Sequence, residues 1–277
     1  MIEFFQNNIF LMMALFAAVL ASFPSGIVGS YVVVKRIVFI AGSISHSVLG
    51  GMGLFLYLNH KFNLPFLTPL LGAFVFAIIS AYVIGWIHLK HKQREDTVIA
   101  SLWALGMSVG VIFISLTPGY NVELLHFLFG NLLWTNSADI YMLLILNGII
   151  IITTLLNHRK FLLICFDEDQ AYLQGINTSL VYFLLLSLIA ITVVALVQVI
   201  GAILIIAMLC LPAATANLFT NKLSTTIMVA IAISLIFSIL GTSFSYLFNW
   251  PPGATIALTA TLGYFALLLF GKQKVSA

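Results

Sequence analysis

Charge is what this sequence has least of: 7% of its 277 residues are Asp, Glu, Lys or Arg, against 62% hydrophobic. A soluble domain carries about 25% charged residues, so the chain lacks the groups needed to cover a water-facing surface. No Lys or Arg precedes Lys35. The positive region that opens a secretory signal is missing, and the first apolar run is expected to be retained. Cys165 and Cys210 stand far apart in unrelated contexts and are expected to be unpaired thiols, not a metal or redox motif. No glycine-rich loop ends in Gly-Lys-Ser or Gly-Lys-Thr, so ATP hydrolysis through a P-loop is excluded. A His-Glu-x-x-His metalloprotease motif and a Ser-His-Asp or di-acid constellation are equally missing, which argues against a membrane-embedded enzyme. Intramembrane acids are scarce: Glu123 and Asp139 lie near the outer edges of their segments. A proton- or sodium-coupled transporter keeps ionisable groups at mid-membrane, so the energy for any transport is expected to come from outside the chain. The net charge of +3 is spread over short loops and gives no sign of a nucleic-acid partner.

What is present is a series of apolar runs, each long enough to cross a ~30 Å hydrocarbon core. They are continuously apolar, unlike the alternating strands of a barrel, and so predict helices. The fold class is therefore all-α: a polytopic helical integral membrane protein embedded in the lipid bilayer. Spans are expected near 8–33, 37–58, 64–88, 97–117, 138–157, 179–197, 199–216, 224–247 and 253–271, about nine in all, with eight as the other count. Basic residues follow alternate spans: Lys35 and Arg36, then Lys90, Lys92 and Arg94, then Arg159 and Lys160, then Lys222, then Lys272 and Lys274. The opposite loops hold only Lys61. By the positive-inside rule the N-terminus is expected outside and the C-terminus in the cytoplasm. Residues 122–136 are apolar but short, and predict a re-entrant or interfacial segment. Residues 158–178 form the longest stretch between spans; within it Asp167 is a good N-cap and Gly175 a good residue just past a helix end. A short cytoplasmic surface helix is expected there.

Two spans carry chemistry. In the second, Gly42, His46, Gly50 and Gly53 share one face by their spacing, with Ser43 beside them. Glycines admit a close neighbouring backbone, so His46 is expected to face protein or a water-filled path. A neutral imidazole there suits zinc and other first-row metals; it also suits a structural hydrogen bond between helices. In the seventh, Pro212 frees a carbonyl one turn earlier, before the small residues Ala213, Ala214, Thr215 and Ala216. Such a broken helix either lines a transport path or is a plain kink. His60, His88, His91 and His158 read as solvated or interfacial, while His126 and Asn131 are candidates for an entrance.

Four pieces occur in order: Phe-Ile-Ala-Gly-Ser-Ile-Ser-His-Ser-Val-Leu-Gly-Gly (39–51), Leu-Phe-Gly-Asn-Leu-Leu (128–133), Asp-Glu-Asp-Gln-Ala-Tyr-Leu-Gln-Gly (167–175), and 198–216 around Pro212. Together they resemble the permeases of zinc/manganese/iron-type ABC importers, across nearly the whole chain. The resemblance implies a multi-pass protein of the bacterial cell (inner) membrane, with residues 1–277 forming one transmembrane permease domain and a coupling segment near 158–178. It also implies a paired permease, a homodimer among the options, with two ABC ATPase subunits and an extracytoplasmic metal-binding protein as partners. No cofactor would be held permanently, and the divalent metal would be cargo. Asp167, Glu168, Asp169, Ala171 and Gly175 would couple to the ATPase. His46 would touch the passing ion, with Gly42, Ser43, Gly50 and Pro212 lining the path or packing beside it. Many members carry an Asp where this chain has Gly42. Paired imidazoles without a carboxylate are expected to favour zinc over manganese. An ATP-independent secondary transporter or channel is the competing expectation.

Overall fold

The computed structural model describes residues 9–91, 95–118, 127–128, 130, 132, 135–202 and 205–270, and none of these is in a strand. Among them run ten helices: α1 (Ile9–Val34), α2 (Val38–Phe62), α3 (Pro69–His91), α4 (Glu95–Ser115), α5 (Ser137–Phe166), α6 (Glu168–Leu173), α7 (Thr178–Ile200), α8 (Ile205–Phe219), α9 (Leu223–Phe248) and α10 (Pro252–Phe270). Eight of them, all but α6 and α8, are long and apolar enough to cross a membrane. Lys92, Arg94, His126, Asn131, Trp134, Lys272 and Lys274 lie outside the described residues.

Local chemistry sets several boundaries. Asn136 and Asp139 form a reciprocal capping box that starts α5: the Asn136 side chain accepts from the Asp139 amide at 3.1 Å, and the Asp139 carboxylate accepts from the Asn136 amide at 3.0 Å. Asn63 and Asn249 end α2 and α9 in the left-handed conformation, which Asn tolerates better than most residues. α5 runs past the expected end at 157 and continues through Phe166. Its added turns are stabilised by Phe161, which is fully buried with its ring edge-on to Tyr31, centroids 5.4 Å apart.

The expected seventh span takes a different form. α7 ends at Ile200, Gly201 turns the chain at φ 90°, and α8 begins at Ile205. A positive φ of that kind is accessible to glycine and strained for other residues. α8 then runs parallel to α1, since Ser25 bonds the Met208 carbonyl and Val33 packs near Ala213 and Ala216. Its 15 residues cover only ~22 Å, so the expected seventh span is a helix shorter than the eight others that are long enough to cross. Most of the segment expected to be re-entrant or interfacial at 122–136 lies outside the described residues, but its Phe127 carbonyl accepts from the Ala202 amide at 2.9 Å.

In lipid, apolarity does not tell inside from outside, and small residues mark the seams. α1, α2 and α7 are mostly enclosed, and the remaining spans present a face outward. Ala14, Ala17, Ala18 and Ala21 line the buried side of α1. α2 and α4 pack in parallel: a Cβ on Gly50 would lie 2.9 Å from the Gly106 carbonyl oxygen, and one on Gly53 would lie 2.6 Å from that of Gly110.

Both mid-helix prolines leave a carbonyl without its intrahelical donor, and in each case another helix supplies one. Pro24 frees Leu20, whose oxygen accepts from Asn147 Nδ2 of α5 at 2.9 Å. Pro212 frees Met208, whose oxygen accepts from the Ser25 hydroxyl of α1. The Asn147→Leu variant is expected to melt earlier in detergent, by a loss of about 1 kcal/mol per interhelical hydrogen bond. Asn147 Oδ1 has no partner, so a higher melting temperature would show that its desolvation outweighs the bond.

Candidate functional site

His46 sits nine residues past Ile37, which places it ~14 Å along α2 and thus near mid-membrane. It is buried. Its ring stacks on Trp103 of α4, with centroids 4.2 Å apart and planes 15° apart. Its Nδ1 lies 3.0 Å from the Met107 sulfur on the same helix. The close α2–α4 approach at Gly50 sets this geometry, because positions 103 and 107 are a turn apart on the α4 face that glycine admits. Gly42 faces α8, where a Cβ would meet Ile206 Cδ1 at 2.7 Å. The buried Ser43 hydroxyl donates to the Ile99 carbonyl at 2.9 Å and so ties α2 to α4.

The interhelical carbonyl bond that a structural histidine would make is replaced here by a thioether and an indole face. Among the described residues no group of three His, Cys, Asp or Glu side chains comes together. The arrangement offers one imidazole and one soft sulfur and carries no negative charge. Stripping a dication of water is costly unless charge compensates it. Such a pair suits brief contact rather than permanent retention. Met107 gave no signal in the sequence, since α4 reads as one more apolar run. Trp103, which by sequence reads with the other tryptophans as a residue of an interfacial belt, stacks on the buried His46 instead. Pro212 is buried in α8 and belongs to the α1–α8 seam, not to the surroundings of His46.

The second cluster lies at the end of the bundle where α1 and α5 finish. Asp167 is the N-cap of α6, its side chain accepting from the Gln170 amide at 2.9 Å. Glu168 and Asp169 occupy the first turn, where the helix dipole favours acids. Gly175, at φ 76°, closes the helix. Its amide donates to the Tyr172 carbonyl and the Ile176 amide to the Ala171 carbonyl, the paired bonds of a Schellman end. Ala171 is the buried residue of α6, whereas Tyr172 and Leu173 are 73% and 84% exposed. A groove between α6 and α7 runs beside them, lined by Tyr172, Leu173, Gly175 and residues 176–179. A short, doubly capped helix of this kind presents a rigid face to a partner.

His158, expected to be solvated or interfacial, also bridges helices. Its Nδ1 lies 2.6 Å from the Tyr31 hydroxyl of α1 and its Nε2 3.1 Å from Ser224 of α9. Trp86 and Trp250 are half exposed, as residues of an interfacial belt are.

The sequence model of the ABC 3 transport family matches residues 7–271. A Chlamydia pneumoniae protein described as a "probable metal transport system membrane protein" is 45% identical over 93% of this chain and 87% of its own length. The manganese transport system membrane protein MntC of Listeria monocytogenes is 34% identical, over 96% and 92% respectively. Among solved structures, PsaBC from Streptococcus pneumoniae in complex with Fab superposes with a TM-score of 0.86 at 29% identity, covering 98% of this chain and 95% of that one.

Proposed function

This chain belongs to the ABC 3 transport family, and we propose that it is the permease subunit of an ATP-driven importer for a divalent transition metal. The observation that carries this reading is the pairing of a mid-membrane His46 with a rigid, exposed α6 at one end of the same bundle. The basic loops put that end in the cytoplasm of a bacterial cell by the positive-inside rule, with the N-terminus outside. Separate ABC ATPases would dock on α6, and their closure and separation would drive alternating access. A second permease copy would face the first across the path, and an extracytoplasmic binding protein would deliver the ion. A soft or borderline cation would shed part of its hydration onto His46 and Met107 and leave again, because no carboxylate retains it. Residues 1–277 then act as one permease domain.

Two observations bear on the cargo. The Listeria relative is named for manganese. The imidazole and thioether donors, without a carboxylate, favour zinc or iron(II) by ligand softness. In cells that depend on this chain for uptake of radiolabelled manganese, excess zinc is expected to compete strongly if the donor set governs the choice. Uptake indifferent to zinc would leave manganese as cargo. For the assembly, a tagged chain is expected to co-purify with an ABC ATPase from its native membrane, and isolation of a free permease under the same mild conditions would contradict it.

A further inference from the structure

Among the described residues α6 is tied to the rest of the molecule by the buried Ala171 and, through charge, by Lys35. The end of α1 is itself closed by a Schellman motif, with the Arg36 amide donating to Val33 and the Ile37 amide to Val32. Arg36 takes the left-handed conformation at φ 62° to complete it. This fixes Lys35 at the rim, its side chain 13% exposed. The ammonium forms an ion pair with Glu168 in the first turn of α6. It also donates to the Ile164 carbonyl of α5 at 2.7 Å and lies 5.6 Å from the Tyr182 ring centroid of α7. One cation therefore joins four helices. One turn back on α1, Tyr31 reaches α9 through His158 and Ser224. α1 is in turn fastened to α8 by Ser25.

From this geometry we propose that Lys35 is the positioning residue that transmits movement of α6 into α1, and through α1 into the helices on its far side. The inference rests on the reading of α6 as the ATPase-docking helix. Without the Lys35–Glu168 pair, a push on α6 would pass only through its flanking chain and the buried Ala171, with no charged link to α1. With the pair, α1 follows, and its seams with α8 and α9 must shift with it. Exposed ion pairs hold little, and the Glu168 side chain is 45% exposed, but Lys35 is enclosed and is held in place by the Ile164 carbonyl and the Tyr182 ring as well.

The test uses the complete assembly of this chain and its ATPase in vesicles, with hydrolysis and metal accumulation measured on the same preparation. In Lys35→Met, ATPase association and hydrolysis are expected to persist, while metal accumulated per ATP falls about tenfold, within the usual range of coupling between sites. Lys35→Arg, which keeps the charge and the reach, is expected to restore the ratio. Should Lys35→Met fail to assemble, Lys35→Gln, which retains a donor for the Ile164 carbonyl, decides by the same ratio. Hydrolysis and accumulation falling in proportion, or neither changing, would overturn the proposal. Leu173→Asp on the exposed face of α6 separates the two readings, because it is expected to release the ATPase. If the ATPase stays bound, α6 is not the docking helix, and the role of Lys35 falls with it.

Discussion

Gly29→Val is expected to remove the folded protein from the membrane, with no monodisperse peak after detergent extraction. A Cβ at Gly29 would collide with the Leu209 carbonyl oxygen, which is backbone and cannot rotate away. The α1–α8 seam would have to open along the stretch where Ser25 satisfies the carbonyl freed by Pro212. Overpacking a core costs about 1–3 kcal/mol when side chains can adjust; here a helix backbone must move, and an orphaned buried carbonyl adds ~1–3 kcal/mol more. That sum, about 2–6 kcal/mol before the backbone shift is counted, already reaches the lower end of the ~5–15 kcal/mol margin of a folded domain. A Gly29→Val protein that extracts and melts like the parent would show that α1 and α8 do not pack in this register.

His46→Ala is expected to lower ATP-driven metal uptake by about tenfold to a hundredfold, the usual cost of perturbing a metal's ligand environment. Assembly with the ATPase should survive, since α6 and Lys35 stand at the end of the bundle and touch neither His46 nor Trp103. The truncation leaves a void between Trp103 and Met107, so stability must be measured alongside. Met107→Leu keeps the volume and removes the sulfur. If the thioether meets the ion, this variant raises the metal concentration needed for half-maximal uptake while its melting temperature stays close to the parent's. If His46→Ala and Met107→Leu both transport normally, the cluster is packing, and the path runs elsewhere.

What could be read from the sequence was what short-range chemistry decides. Asp167 and Gly175 mark the ends of α6 because an N-cap oxygen and a left-handed glycine act within one turn. The glycine face of α2 follows from spacing alone, and His46 is buried on it as that face requires. Partners across helices could not be read in this way. A proline announces a freed carbonyl, yet nothing nearby in sequence names Asn147 or Ser25 as its donor. Met107 sits in a run where every residue is apolar, and Lys35 reads only as a topology signal until Glu168 is beside it. His158 looked like a loop residue because α5 was expected to end at 157, whereas burial of Phe161 carries the helix on to Phe166. The expectation of zinc over manganese rested on the missing carboxylate at Gly42. The relatives do not support it, one of them being named for manganese, and the metal has to be settled by uptake.

The claim that most depends on measurement is that ATP hydrolysis outside this chain drives metal through it. The permease, reconstituted with its ATPase in sealed vesicles and supplied with the metal-loaded binding protein, should accumulate manganese, zinc or iron(II) only when ATP is present on the α6 side, and should stop with a non-hydrolysable analogue. Equal accumulation by the permease alone, with a proton or sodium gradient and no nucleotide, would contradict the account and identify a secondary transporter.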